Sequence, residues 1–156
     1  MRLTKFTDYS LRVLLYAATL KADQLTTIEE TSRLYGISRA HLKKVVLQLI
    51  HDGFLEGVRG RSGGFRLARL PDQINLGQVL RRTEPDFGLA ECFLPDNTCR
   101  ITMGCRLPGL MNKALLNFLA TFDAYTLADM LIDPGYFGMP EQSHYPQRGP
   151  RSSSLS

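Results

Sequence analysis

Residues 25–71 read LTTIEETSRLYGISRAHLKKVVLQLIHDGFLEGVRGRSGGFRLARLP. The first part predicts two short helices joined by a tight turn. Thr26 or Thr27 can cap the first, because a threonine hydroxyl accepts from an orphan amide of the opening turn. Glu29 and Glu30 then sit where the helix dipole is positive. Gly36 breaks that helix after Leu34 and Tyr35, Ser38 can cap the second, and Gly53 ends it. Leu42, Val45, Val46, Leu49 and Ile50 fall on one face of the second helix. The remainder reads as a β-hairpin. Phe54, Leu55 and Val58 lead to the tip RGRSGG, and Phe65 and Leu67 leave it. A helix-turn-helix followed at once by an arginine-tipped hairpin is a winged helix.

Such a head suits duplex DNA. The second helix fits the major groove, about 12 Å wide, and the arginine tip fits the narrower, more negative minor groove beside it. Ser38 begins the reading helix, and Arg39 and His41 occupy its first turn, where base edges are met. Lys43 and Lys44 follow at the level of phosphates. Arg59, Arg61 and Ser62 form the wing contact, while Arg33, Arg66 and Arg69 extend the basic surface. Exposed helix lysines are often merely solvated, and His41 can be an ordinary surface residue. A glycine-rich tip, by contrast, gives Arg59 and Arg61 no work within the chain. His51 reads as a helix-dipole partner, not a ligand or base. The charge is distributed to match: residues 1–70 hold twelve Lys and Arg against six Asp and Glu, net +6, and residues 71–156 hold seven against nine, net −2. A basic first half points to a polyanion.

Upstream, MRLTKFTDYSLRVLLYAATLKA predicts a helix with Leu11, Leu14, Leu15 and Ala18 on one face and Thr7 or Asp8 as N-cap. Downstream, INLGQVLRRTE is a short helix packing through Ile74, Leu76, Val79 and Leu80. Pro85, Gly88 and Pro95 then exclude regular structure. After Pro108, a helix-start residue, Met111, Leu115, Phe118, Leu119 and Phe122 recur at helical spacing. A long apolar helix beside a head with its own core is most simply a dimer interface; packing within the chain is the alternative. Thr126 caps another short helix. The fold expected is therefore mostly α with a small β-hairpin. Its parts are a winged helix-turn-helix DNA-binding domain (1–84), a cysteine loop (85–107), a dimerisation helix with a short C-terminal helix (108–137), and a disordered tail (138–156) containing His144. No signal-peptide pattern and no apolar run of bilayer length occurs, so a cytoplasmic protein without a membrane partner is expected. No Cys–His pairing at useful spacing, phosphate loop or paired carboxylates suggests an enzyme.

All three cysteines, Cys92, Cys99 and Cys105, lie in ECFLPDNTCRITMGCRL, residues 91–107. An odd, clustered set argues against a disulfide framework and for metal or redox chemistry. Zinc and an iron–sulfur cluster are both candidates, and the wide gaps suit the bulkier group. Arg100 and Arg106 would favour thiolates. Three thiols still leave a tetrahedral site one ligand short, and structural cysteines remain the alternative.

Several segments together carry a resemblance: LTKFTDYSLRVLLYAA, YGISRAHLKKVVLQL, VRGRSGGFRLA, CRITMGCRL and YTLADM. With them the chain, over residues 1 to 131, resembles the family of dimeric winged-helix iron–sulfur transcription regulators that includes NsrR and IscR. Within it the chain looks most like the nitric-oxide-responsive repressors. The IscR branch has a histidine two residues after the third cysteine, and Leu107 stands there in this chain. The resemblance implies an iron–sulfur cluster (4Fe–4S, with 2Fe–2S as the alternative) held by Cys92, Cys99, Cys105 and Asp8 of the partner subunit. It further implies a homodimer on a palindromic operator, released when nitric oxide nitrosylates the cluster. A sensor of cluster supply and a DNA-binding regulator with structural zinc are the competing readings.

Overall fold

The computed structural model describes residues 2–138. Of the expected tail (138–156), Gly138 closes a 3-10 turn, Pro134–Phe137, and the rest, with His144, lies outside the described residues. Helix α1 (Lys5–Thr19) begins earlier than its sequence suggests, because Thr4 is the N-cap and accepts from the Thr7 amide at 3.3 Å. Thr7 and Asp8 therefore lie inside the first turn. Thr7, completely buried, uses its hydroxyl elsewhere. The buried face of α1 is Val13, Leu14, Ala17 and Ala18, with Leu11 and Leu15 partly covered.

Helices α2 (Ile28–Tyr35) and α3 (Arg39–His51) form the helix-turn-helix. Thr27 caps α2 through the Glu30 amide, and Ser38 caps α3 through the His41 amide. Gly36 closes α2 at φ 64°, a left-handed geometry that side chains disfavour. The Ser32 hydroxyl locks the turn by donating to the Ile37 carbonyl at 2.7 Å. Strands β1 (Leu55–Val58) and β2 (Gly64–Leu67) pair antiparallel, Leu55 opposite Leu67 and Val58 opposite Gly64. Phe65 and Thr26 exchange backbone hydrogen bonds at 2.8 and 3.0 Å, anchoring the wing beside α2. Gly64 permits this approach, since a Cβ there would lie 2.3 Å from the Thr26 carbonyl oxygen.

Helix α4 (Leu76–Thr83), capped by Asn75, closes the head, with Ile74, Val79 and Leu80 fully buried. The core joins Leu14 of α1, Leu42 and Leu49 of α3, Leu55 of the hairpin, Val79 of α4 and Leu127. Each such side chain contributes roughly 1.5–3 kcal/mol of transfer free energy. Helix α5 (Leu107–Asp123) returns to the head at its far end: Asn75 Nδ2 donates to the Asp123 carbonyl, and Arg81 grips the Asp123 carboxylate with two bonds of 2.5 and 2.8 Å. The segment after α5 is a 3-10 turn (Leu127–Met130) in which Thr126 and Asp129 cap reciprocally. No helix among the described residues is long and apolar enough to cross a membrane.

The apolar positions of α5 divide. Leu119 is buried, Phe122 packs against the head, and Met111, Leu115 and Phe118 are half-buried, so much of the periodic face packs within the chain. The apolar surface left over on α5 is Leu107, Leu110 and Leu116, 53, 64 and 57% exposed, and Ile101 and Met103 of the preceding loop are exposed as well.

Candidate nucleic-acid interface and metal centre

Helix α3 presents Arg39, His41, Lys43 and Lys44 on its exposed side, opposite Leu42, Val45, Val46 and Leu49. Arg39 is not free: its guanidinium donates to Glu29 Oε2 at 2.7 Å, a pair the sequence reading did not foresee because ten residues separate the partners. The pair is strongly exposed, so exchanging Glu29 for a base edge or phosphate costs little. The His41 ring stands 6.3 Å from that of Tyr9 on α1. Arg59, Arg61 and Ser62 are exposed at the wing tip, and neither arginine takes part in an ion pair among the described residues. Arg66 and Arg69, grouped with them by sequence, have other work. Arg66 pairs with Glu56 across the hairpin, while Arg69 donates to the Gly53 and Asp52 carbonyls and covers the Phe54 ring at 5.4 Å. The wing's free positive charge is thus concentrated at its tip.

The cysteine segment is built from turns. Cys92 lies in the 3-10 turn Glu91–Phe93, and Cys99 and Cys105 are linked by successive turns, Thr102 N to Cys99 O and Cys105 N to Thr102 O. Glu91 Oε1 accepts from both the hydroxyl and the amide of Thr98, at 2.7 and 3.0 Å. That clasp ties the residue before Cys92 to the residue before Cys99, and it holds the Glu91 carboxyl below its ordinary pKa. All three cysteines are free, Cys99 exposed and the others partly covered. Three thiols on a framework of turns suit a soft metal or an iron–sulfur core by ligand chemistry. Among the described residues, however, no three His, Cys, Asp or Glu side chains stand together at metal-binding spacing.

Asp8 is engaged within its own chain. It forms an ion pair with Arg12 one turn on, at 2.9 Å, both side chains nearly half exposed. The two line an open cleft of about 570 Å³ with Arg2, Lys5, Tyr9 and Tyr35. Tyr35 joins this cleft to the helix-turn-helix: its hydroxyl donates to the Arg12 carbonyl at 3.0 Å, and burial pushes its pKa up to about 12.

The Rrf2 profile, described as an iron-dependent transcriptional regulator, matches residues 3–133. The chain belongs to the Rrf2 family. Among its Rrf2 relatives, an HTH-type transcriptional regulator NsrR of Bacillus subtilis is 46% identical over 132 residues, 84% of this chain and 90% of that protein. An NsrR of Bacillus licheniformis is 45% identical over 134 residues, 85% and 94% of the two chains. The fold is shared with solved Rrf2-type structures. IscR of T. potens has a TM-score of 0.65 at 22% identity, over 91% of this chain and 94% of that one. CymR, the global cysteine regulator of B. subtilis, has a TM-score of 0.63 at 22% identity, over 83% and 95%. This Rrf2 member is therefore a winged-helix transcriptional regulator, and its family binds DNA.

Proposed function

We propose that the chain is a nitric-oxide-responsive repressor. It acts as a homodimer on a palindromic operator and carries an iron–sulfur cluster, 4Fe–4S in preference to 2Fe–2S. Cys92, Cys99, Cys105 and Asp8 of the partner subunit would hold the cluster. The observation that carries this reading is the position of the thiol segment. It lies between the DNA-binding head and α5, short of one ligand, while an accessible Asp8 faces outward on α1. Relatives named NsrR, 41–46% identical, support the choice of signal.

When bound, an iron–sulfur cluster supplies irons that react with nitric oxide. The chain's own residues do the rest. Asp8 is available because its exposed pair with Arg12 contributes only about 0.3–0.5 kcal/mol, as i,i+4 pairs do. The open cleft around Asp8 gives a partner's thiol segment room to approach. Seated there, the segment would fix α1 of one subunit against the loop of the other, and so fix the spacing of the two α3 helices. Half-sites one helical turn apart, about 10–10.5 bp, tolerate little change in that spacing. Ser38, Arg39 and His41 would then read the major groove, Lys43 and Lys44 would meet phosphates, and Arg59, Arg61 and Ser62 would enter the adjacent minor groove.

Anaerobic purification with iron and acid-labile sulfide determination tests the reading. The wild type should be coloured and contain both in stoichiometric amount, and Cys99→Ala should be colourless and bind DNA weakly. A colourless wild type containing zinc would establish a structural metal in place of a sensor.

A further inference from the structure

Glu84 is the last residue that α4 holds by its backbone, the Glu84 amide donating to the Leu80 carbonyl at 2.8 Å. Pro85 and the thiol segment follow directly. The Glu84 side chain turns instead to the start of α1, eighty residues away in sequence. Its carboxylate accepts from the Thr4 amide at 3.2 and 3.3 Å, from the Thr4 hydroxyl at 3.1 Å and from the Thr7 hydroxyl at 2.5 Å. Thr7 is completely buried, so the donor side of this last bond is shielded from water, while Glu84 is partly exposed. Hydrogen bonds to an ionised acceptor are roughly twice as strong as neutral ones, and the carboxylate also meets the positive end of the α1 dipole. One side chain therefore supplements the cap of α1 and fixes it to the residue from which the thiol segment departs.

The same turn carries Asp8, whose amide donates to the Thr4 carbonyl at 3.0 Å. From α1 two contacts lead to the DNA-reading motif. Tyr35, the last residue of α2, donates to the Arg12 carbonyl, and Tyr9 lies against His41 in the first turn of α3. The path from loop to reading helix is contiguous, and the Glu84 carboxylate adds a charged tether to the apolar packing of α4 on α1. Opening that tether takes the charged acceptor from the Thr4 amide and from both threonine hydroxyls, and leaves the buried Thr7 hydroxyl only the neutral Thr4 hydroxyl at 3.2 Å.

We propose that Glu84 is a positioning residue that passes displacement of the thiol segment to α1 and, through α1, to the reading helix α3. The proposal rests on the regulatory reading above, and its test separates the two. The first arm perturbs the loop without reference to any metal. The three thiols are alkylated with iodoacetamide and amide hydrogen exchange is followed over residues 4–10. In the wild type, exchange there should accelerate about fivefold or more on alkylation, the low end of usual coupling. In Glu84→Ala it should already be fast and should not change. Thr7→Val, which removes the buried donor and keeps the carboxylate, should behave like Glu84→Ala and carries the test if that variant fails to fold.

The second arm titrates a duplex selected by the wild-type chain from random-sequence DNA, before and after a nitric-oxide-releasing diazeniumdiolate. The wild type should lose about 5- to 150-fold in affinity, and Glu84→Ala, with its iron content unchanged, less than about twofold. A wild-type-sized response in both variants overturns the role of Glu84 and leaves the regulatory reading standing. An unresponsive wild type overturns the regulatory reading. Exchange over residues 4–10 that ignores alkylation in the wild type overturns the link itself.

Discussion

Replacing Arg59 and Arg61 with alanine separates two classes of wing arginine. Both lie exposed at the tip outside every ion pair of the described residues, whereas Arg66 is paired with Glu56 and Arg69 is spent on the Gly53 and Asp52 carbonyls. Each cation that neutralises a DNA phosphate releases counterions and adds about 0.9 to the slope of log affinity against log salt. Losing two such contacts flattens the slope by about 1.8. Between about 50 and 200 mM salt, a fourfold change, wild-type affinity should then fall about twelvefold further than that of the double variant. Fluorescence anisotropy of a labelled duplex across that range measures both slopes. Arg66→Ala should weaken the hairpin while leaving the slope within roughly half a unit of wild type. An unchanged slope in the Arg59, Arg61 double variant, or an equal flattening in Arg66→Ala, would refute the assignment of the tip to DNA.

Other outcomes follow from packing and capping. Leu49→Ala, at a wholly buried site on α3, should cost about 2–5 kcal/mol in urea unfolding. Leu47→Ala, on the same helix but 56% exposed, should cost within about 0.5 kcal/mol. Ser38→Ala removes the α3 cap and should lower stability by about 1 kcal/mol, with α3 amides exchanging faster. Gly77→Ala should lower the thermal midpoint, since the new Cβ would lie 1.8 Å from Asp123 Oδ1 and displace the Arg81 clasp. Arg81 also holds the Asp123 carboxyl below its ordinary 3.8. A depressed carboxyl stabilises the fold above the unfolded pKa and loses that contribution as pH falls through the folded one. Asp123→Asn should therefore be less stable than wild type near neutrality, and the two urea midpoints should converge as pH drops below 3.8.

The winged head was readable because each of its signals is local. Thr27, Gly36 and Ser38 announce caps within a residue of where they act, and the glycine-rich tip between Val58 and Phe65 needs nothing outside itself. The start of α1 was less readable. Thr4, Thr7 and Asp8 all have capping chemistry, and burial of Thr7 against Glu84, a contact with no local trace, decides among them. The same limit hid the Arg39–Glu29 pair and the internal engagement of Arg66 and Arg69. For α5, periodicity found the apolar positions, but which of them meet the head depends on Asn75 and Arg81 gripping its far end. The thiol segment was legible as chemistry through its three cysteines. Its clasp of Glu91 on Thr98 was not, since an acidic residue and a threonine seven positions apart carry no pattern.

The most direct measurement is a DNA titration of the anaerobically purified chain against its selected duplex, with and without one equivalent of nitric oxide per iron. Affinity should fall about 5- to 150-fold on exposure, the range of ordinary coupling energies, and the iron-loaded chain should be the tight-binding form. Superimposable curves from iron-loaded, nitric-oxide-treated and iron-free chains would contradict it and leave a winged-helix regulator whose cysteines do not govern its hold on DNA.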